Sequence, residues 1–406
     1  MMRYIGLIIL FGLIVSCSKN VPFESCENSL SDHVEVSSMF LHQKGNKIVD
    51  QNDNEVFIKA VNLGSWLHFE AWMLGAPLNI TDLEKGSESQ IISRFTELYG
   101  QTAADDFVNT IHNEFITESD FQDISELGFN TVRVPINHTL LDNQDGWNKL
   151  DSVISWAEEN DLYVIIDMHA APGGQSNSFP ADPDNVLLWD DINAQDQLVF
   201  YWEQIADRYK NNPTIFAYDL LNEPDPSSED QLLLLYDRII DAVRNVDTQH
   251  LLLIEGSDFS RDFNSFSYRL DHNMAYSPHV YIWLGFNDDQ WINSFVALSN
   301  CHDTPVVIGE FGEDKMDDIE GLRKGFQKLS GWAVWSWKKV ETGGQPGINT
   351  INAPSEWLDL MESLMEPTGT AAVMTESQAF DALNDFLQAA SSPVRNEGYE
   401  AALGLN

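Results

Sequence analysis

Glu223 and Glu310 each stand at the end of an apolar run. Glu223 closes "TIFAYDLLNEP" and Glu310 sits near the end of "PVVIGEFG". Burying a carboxylate there costs solvation free energy, so its presence marks a place where stability logic is overridden. Other polar residues hold equivalent places in other runs: Asn62, Arg133, His169, Asn222 beside Glu223, His279 with Tyr281, and Trp337. Two carboxylates can divide acid–base work, one donating a proton while the other acts as nucleophile or base. Facing each other across a pocket, such a pair suits glycoside hydrolysis. A lone strand-end glutamate is more often a salt-bridged structural residue. The pair, with an asparagine directly before one member, is far more specific.

These residues converge only if the runs are neighbouring strands. The runs are "FIKAVNLG", "FNTVRVP", "LYVIIDMH", "TIFAYDLLNEP", "HLLLIEG", "NMAYSPHVY", "PVVIGEFG" and "WAVWSW". Each has the length and the branched or aromatic content of a strand buried on both faces. Amphipathic segments lie between them, such as Leu150 to Asn160 and Gln231 to Val246, where Leu232, Leu235, Ile239 and Val243 repeat at helical spacing. Eight strands alternating with helices predict an α/β fold, a (β/α)8 TIM barrel with extended loops at its C-terminal rim. A doubly wound sheet fits less well, because no glycine-rich phosphate loop follows the first strand. Long connections after the first strand (about Ser65 to Glu118), after the third ("APGGQSNSFPADPDNVLLW") and after Trp337 belong to that rim. A closing helix is expected near Ser377 to Ala389.

The chain has 406 residues and is 43% hydrophobic, enough for one large barrel. Acidic residues outnumber basic ones 64 to 22, for a formal charge of −42. That surface repels phosphate backbones and argues against nucleic acid as a partner. At the N-terminus, "MMRYIGLIILFGLIVSCSKN" reads as a signal peptide, its apolar run too short to span a bilayer. "IVSC" resembles a bacterial lipobox, with Cys17 as the lipidated residue. The expected organisation is a signal peptide over 1–16, a lipid-anchored tether over 17–39, a catalytic domain over 40–392 and a C-terminal tail over 393–406. This places the protein in a bacterial cell envelope, held to the membrane through lipid alone and acting as a monomer. Cys26 and Cys301 are compatible with a disulfide, which export permits, or with two thiols. No CxxC or Cys/His cluster suggests a metal, and no cofactor is expected.

The motif set "VRVP", "DMH", "LNEP", "HVY", "VIGEFG" and "WSW" resembles glycoside hydrolase family 5 over about Phe57 to Trp357. "NLGSWLHFEAW", "FITESDFQDISELGFNTVRVPI", "HAAPGGQ" and "APSEW" are similar to its exo-β-1,3-glucanase group. Ser65 and Ala71 stand where that group has Gly and Pro, and the loops after the third and eighth strands differ. The resemblance implies retaining hydrolysis of a β-glycosidic bond, with Glu310 as nucleophile and Glu223 as acid/base. Arg133 and Tyr281 would hold Glu310 ionised and in line. Glu223 would need a raised pKa to start as the acid. Asn222 would contact the sugar 2-hydroxyl, His169 further hydroxyls, and His279 the acid/base. Trp337 would offer its indole face to the sugar ring. Glu70 matches a residue that contacts the terminal sugar, while Trp283 and Trp66 would line outer subsites.

The expected substrate is therefore a β-glucan polysaccharide or oligosaccharide, most directly β-1,3-linked and cut from the chain end. Endo attack, and β-1,6-, mixed-linkage or mannan substrates, fit the same chemistry. A silent sugar-binding barrel would not need the desolvated carboxylate pair. A metal-dependent hydrolase would want more ligands than His169 and His279 on separate strands.

Overall fold

The computed structural model describes residues 39–77, 86–282, 288–313, 315–341 and 347–405. Eight parallel strands close a ring. They are β1 (Ile58–Asn62), β2 (Thr131–Asn137), β3 (Tyr163–Ala170), β4 (Ile215–Asp219) and β5 (Leu251–Ile254), then β6 in two pieces (Met274–Tyr276 and His279–Val280), β7 (Val307–Gly312) and β8 (Gly331–Trp335). Hydrogen-bonded neighbours follow chain order, and β8 returns to β1 through Gly331↔Ile58 to Val334↔Val61. This is the (β/α)8 barrel that the run pattern predicts. All eight runs are strands, buried on both faces except at Lys59 and Tyr163, because side chains fill the barrel inside and helices cover it outside. In β6 and β7 the register sets His279 directly beside Glu310.

The barrel interior holds Ile58, Ala60, Ile165, Ala217, Leu251, Leu253, Ala275, Val307 and Ala333. A hairpin of His42–Lys44 and Lys47–Val49 adds Leu41 and Ile48 to that cluster and plugs the end opposite the rim. The helices form where the apolar spacing requires. In Glu229–Val246 a Ser228/Gln231 capping box satisfies the first amides, and Leu232, Leu235, Ile239 and Val243 are buried against the strands. The closing helix runs Glu376–Ala390, under a Thr375/Gln378 box.

Two rim segments carry most of the site's support. The connection after β1 contains helices Glu88–Tyr99 and Gln101–Glu114. It is joined to the C-terminal helices by a run of stacked rings: Phe95 on Phe107 at 4.4 Å, Phe107 on Trp357 at 6.3 Å, and Trp357 on Phe386 at 4.1 Å. Each such pair adds about 0.5–1.5 kcal/mol beyond its buried area. The second is the connection after β3. There Asp182 accepts hydrogen bonds from the Ser89 amide and hydroxyl and from Asn137 Nδ2, so this loop caps the helix of the first connection.

The expected tail requires correction. Residues 393–405 belong to the folded unit: Val394–Arg395 pairs with Asn349–Ile351, and the helix Glu397–Leu403 buries Tyr399. The Tyr399 hydroxyl donates to the Trp335 carbonyl at 3.1 Å, which ties the chain end to β8. Cys301 is disulfide-bonded. Cys17 and Cys26, the other two cysteines, lie outside the described residues, as do the expected signal peptide and tether up to residue 38. No helix among the described residues is long and apolar enough to cross a membrane.

Candidate active site

Arg133 organises the floor of the site. It projects from β2 and is fully buried. Its Nη1 donates to Glu310 Oε1 at 2.8 Å and to Asn62 Oδ1 at 3.0 Å. Nη2 donates to Asn222 Oδ1 at 2.9 Å and Glu255 Oε1 at 3.2 Å, and Nε to Asp219 Oδ2 at 2.9 Å. Asp167 lies 3.2 Å from Nη2. Burial disfavours the guanidinium charge, but these carboxylates outweigh it and hold its pKa well above the usual arginine value.

The two glutamates face each other across this floor. A carboxylate oxygen of Glu223, one of Glu310 and a ring nitrogen of His279 lie within 4.8 Å of one another. Glu310 Oε2 accepts the Tyr281 hydroxyl at 2.8 Å, so both of its oxygens are fixed. Glu223 Oε1 is 2.9 Å from His279 Nδ1. Glu223 has a left-handed backbone, with φ of 45°, unusual for a residue with a side chain. Its amide donates to Glu255 Oε2 at 2.7 Å. Local strain of this kind persists where surrounding contacts over-determine it.

The protonation directions differ from the sequence expectation. Burial raises Glu223, but the hydrogen bond and charge of His279 outweigh it and leave Glu223 below its usual value. Burial raises Glu310; His279 and Arg133 oppose that only in part, and Glu310 stays above its usual value. Burial also lowers His279, yet the carboxylates around it, Glu255 first, drive it well above 6.5. That direction favours the protonated ring, whose Nδ1 hydrogen-bonds Glu223 at 2.9 Å and whose Nε2 lies at ion-pair distance, 3.2 Å, from Glu255. A proton donor for Glu223 thus stands one hydrogen bond away.

Asn222 gives its side-chain oxygen to Arg133, which turns its NH₂ outward, 3.5 Å from His169 Nε2. Asp167 accepts His169 Nδ1 at 2.7 Å and leaves Nε2 toward the pocket. Gln175, in the "GGQ" segment, bonds the carbonyls of both His169 and Asn222. Beyond His169 stands Glu70, 97% buried, with Oε2 accepting Trp72 Nε1 and Oε1 3.9 Å from His169 Nε2. Burial pushes Glu70 up to about 8.

Two aromatic assignments change. Trp337 sits in the hydrophobic core and donates Nε1 to Asp120 at 2.8 Å. Trp335 is the tryptophan at the site, stacked on His169 with ring centres 5.5 Å apart and clustered with Trp72, Met73 and Tyr281. The strand ends at Trp335, so the alternation that would put both indoles on one face stops before Trp337. Trp66 is also core, donating to the His112 carbonyl and stacked on Trp156. Trp283 and Cys17 lie outside the described residues.

Four acids or bases escaped the sequence reading. Glu255 follows "LLLI" directly, the same signal that marked Glu223. Asp167 lies inside β3 and Asp219 ends β4, and only barrel closure reveals that they share one layer with Arg133. Asp167, Asp219 and Glu255 bring oxygens within 4.8 Å of one another around the guanidinium. His68 had no signal beyond its place in "NLGSWLHFEAW".

A protein named β-xylosidase from Phanerodontia chrysosporium is 31% identical over 259 residues, 61% of this chain and 53% of that protein. A probable glucan 1,3-β-glucosidase A from Emericella nidulans is 30% identical over 275 residues, 63% of this chain and 66% of that protein. The chain thus spans about half to two thirds of the length of these curated relatives. Among solved structures, an endogalactoceramidase matches with a TM-score of 0.57 at 20% identity, covering 80% of this chain and 84% of that one. A β-glucanase of Saccharophagus degradans in complex with cellotetraose matches at 0.54 and 18% identity, over 83% and 97%. At such identities these two speak for the fold alone. The family model "Cellulase (glycosyl hydrolase family 5)" matches residues 95–341, and the chain belongs to that family.

Proposed function

We propose that the protein is a retaining β-glycoside hydrolase that removes glucose from the non-reducing end of β-glucan, with β-1,3-glucan as the first substrate. The observation that carries this reading is the carboxylate pair. Oxygens of Glu223 and Glu310 approach within 4.8 Å, which fits the short separation of retaining enzymes better than the wider one of inverting enzymes.

Glu310 attacks the anomeric carbon while the glycosidic C–O bond breaks. Arg133 and Tyr281 hold the attacking carboxylate in line. The leaving oxygen takes its proton from Glu223, which draws on His279 Nδ1 along their 2.9 Å hydrogen bond. Water then attacks the glycosyl ester, Glu223 accepts its proton, and Glu310 is released. The Asn222 amide binds the sugar 2-hydroxyl, and Trp335 lies along the ring. Glu70 and Trp72 form a wall beyond His169, which favours a closed pocket and attack from the chain end. Lipidation of Cys17 at the cell envelope completes this reading, on the strength of the N-terminal sequence.

Digesting laminarin with the purified protein and following the first product by NMR tests it. β-Glucose is expected; an α product would remove the double displacement, and an early ladder of oligosaccharides would remove the closed pocket. A second reading has a specific observation behind it, since one relative is named a β-xylosidase. Aryl β-xyloside turned over faster than aryl β-glucoside would favour that reading.

A further inference from the structure

His68 presents a chemical puzzle that the proposed reaction does not absorb. Its imidazole is 99% buried. Neither ring nitrogen has a hydrogen-bond partner among the described residues. Nδ1 lies 3.4 Å from a Glu88 oxygen, an ion-pair distance without hydrogen-bond alignment. That same Glu88 oxygen already accepts the Phe69 amide at 2.7 Å. Buried polar atoms in folded proteins are nearly always paired, and an unpaired one calls for an explanation such as a ligand. The adjacent residues show where the ring stands. Phe69 points into the hydrophobic core beside His112, whereas His68 packs against His169, ring centres 5.2 Å apart.

The wall of the pocket can be followed outward from the reacting carbon. Asn222 stands beside Glu223. Its amide is 3.5 Å from His169 Nε2. His169 is 3.9 Å from Glu70 Oε1, which is itself buried without a hydrogen-bond partner. His68 touches His169 on the same wall. A sugar whose C1 lies between the two catalytic glutamates, with its C2 hydroxyl on Asn222, turns its C3 and C4 hydroxyls along this path. Those hydroxyls both donate and accept. They can satisfy an imidazole nitrogen and a carboxyl oxygen that the protein leaves open.

Building on the glycosidase reading above, we propose that His68 is a sugar-contacting, specificity-determining residue whose ring hydrogen-bonds a hydroxyl on the C3–C4 edge of the sugar being cleaved. Glu88 holds the ring in place from behind, and Glu70 shares the same edge from the other side. A site built to pair a hydroxyl discriminates strongly against the analogue lacking it, because its own polar group is left unpaired.

The test is a cycle of variants and substrates. Wild-type protein, His68→Phe and His68→Gln are assayed on aryl β-glucoside and on its 3-deoxy, 4-deoxy and 6-deoxy analogues. Phenylalanine keeps the ring volume and removes the hydrogen bond; glutamine keeps a polar group. Because the sugar hydroxyl would be left without its partner in a buried site, His68→Phe should lower kcat/KM on the glucoside by about 10- to 100-fold. On either the 3-deoxy or the 4-deoxy sugar the same substitution should cost almost nothing more. The 6-deoxy sugar should show the full loss. Glutamine should recover part of the activity and should keep the variant folded if phenylalanine does not. Equal losses on all four sugars, or no loss on any, would overturn the inference while leaving the glycosidase reading intact. Wild-type protein that turns over no aryl glycoside would remove both.

Discussion

Glu255→Gln isolates the part of the site that stores the acid proton. Glu255 Oε1 lies 3.2 Å from His279 Nε2, and His279 Nδ1 lies 2.9 Å from Glu223 Oε1. Opposite unit charges at that spacing attract by roughly 5 kcal/mol at an effective dielectric of about 20. Glutamine keeps the shape and an acceptor oxygen, so only part of this is lost. A net loss of about 1.4–2.7 kcal/mol corresponds to one to two pH units on the imidazolium. The sign follows from the charges. Glu255 holds His279 above its ordinary value, so removing the negative charge lets His279 lose its proton at lower pH. Glu255 itself is pushed up to about 7 by burial, so it acts as an anion mainly above neutrality. The effect must then fall on the alkaline limb of the kcat/KM profile. Measured on a substrate with a poor leaving group, that limb should move down by about one to two pH units while the acid limb stays in place. Thermal melts of both proteins establish that the fold survives. A uniform loss of rate with an unmoved alkaline limb would show that Glu255 only props up Glu223, and the storage argument would fail.

Glu310→Gln should abolish turnover, whereas Glu223→Ala should cost about 10²–10⁴-fold on poor leaving groups and far less on activated aryl glycosides, read from steady-state and burst kinetics. Trp337→Ala should destabilise the fold by about 3–5 kcal/mol in denaturant melts, because it empties a packed core site and removes one hydrogen bond from Asp120. Trp335→Ala should lower kcat/KM about 3- to 10-fold with a smaller stability loss. Glu70 carries a pH-linked cost: its folded pKa, pushed up to about 8 from 4.5, means the folded state binds the extra proton between those values. Stability contributed by that proton falls as pH rises through the window, by something on the order of a few kcal/mol. Glu70→Gln should therefore raise the melting temperature at alkaline pH and leave it nearly unchanged under acid conditions.

Much of the site was legible because a barrel places strand ends together. Once the runs were read as eight strands, Glu223, Glu310, Arg133, Asn222, His169, His279 and Tyr281 had to converge, and they do. What escaped depended on information a linear pattern lacks. Asp167 and Asp219 sit within apolar runs, where a single acid looks like an exception rather than one member of a layer around Arg133. Trp335 and Trp337 share the same spacing parity, and only the end of the strand separates a pocket wall from a core residue. The protonation directions also escaped, because they depend on distances among five groups rather than on the identity of any one. His68 belongs to a connection with no periodicity, and its place follows from how that connection packs on β3.

The acidic layer also accounts for the two halves of the proposed reaction. Asp167, Asp219, Glu255, Glu223 and Glu310 surround two cations, Arg133 and His279. Burial pushes Asp167 and Asp219 up to about 6 and Glu255 up to about 7, so the layer cannot hold all its negative charges near neutrality. A fold selected for stability alone would fill this layer with apolar side chains. Its use is that the excess negative charge keeps a proton on His279, in contact with Glu223, while Glu310 is held ready to attack. When Glu310 becomes a glycosyl ester, one negative charge leaves the layer. Less negative charge then draws a proton back to His279, and Glu223, its proton already passed to the leaving oxygen, stands as a carboxylate free to act as a base toward water. The switch from acid to base follows from the loss of a single charge.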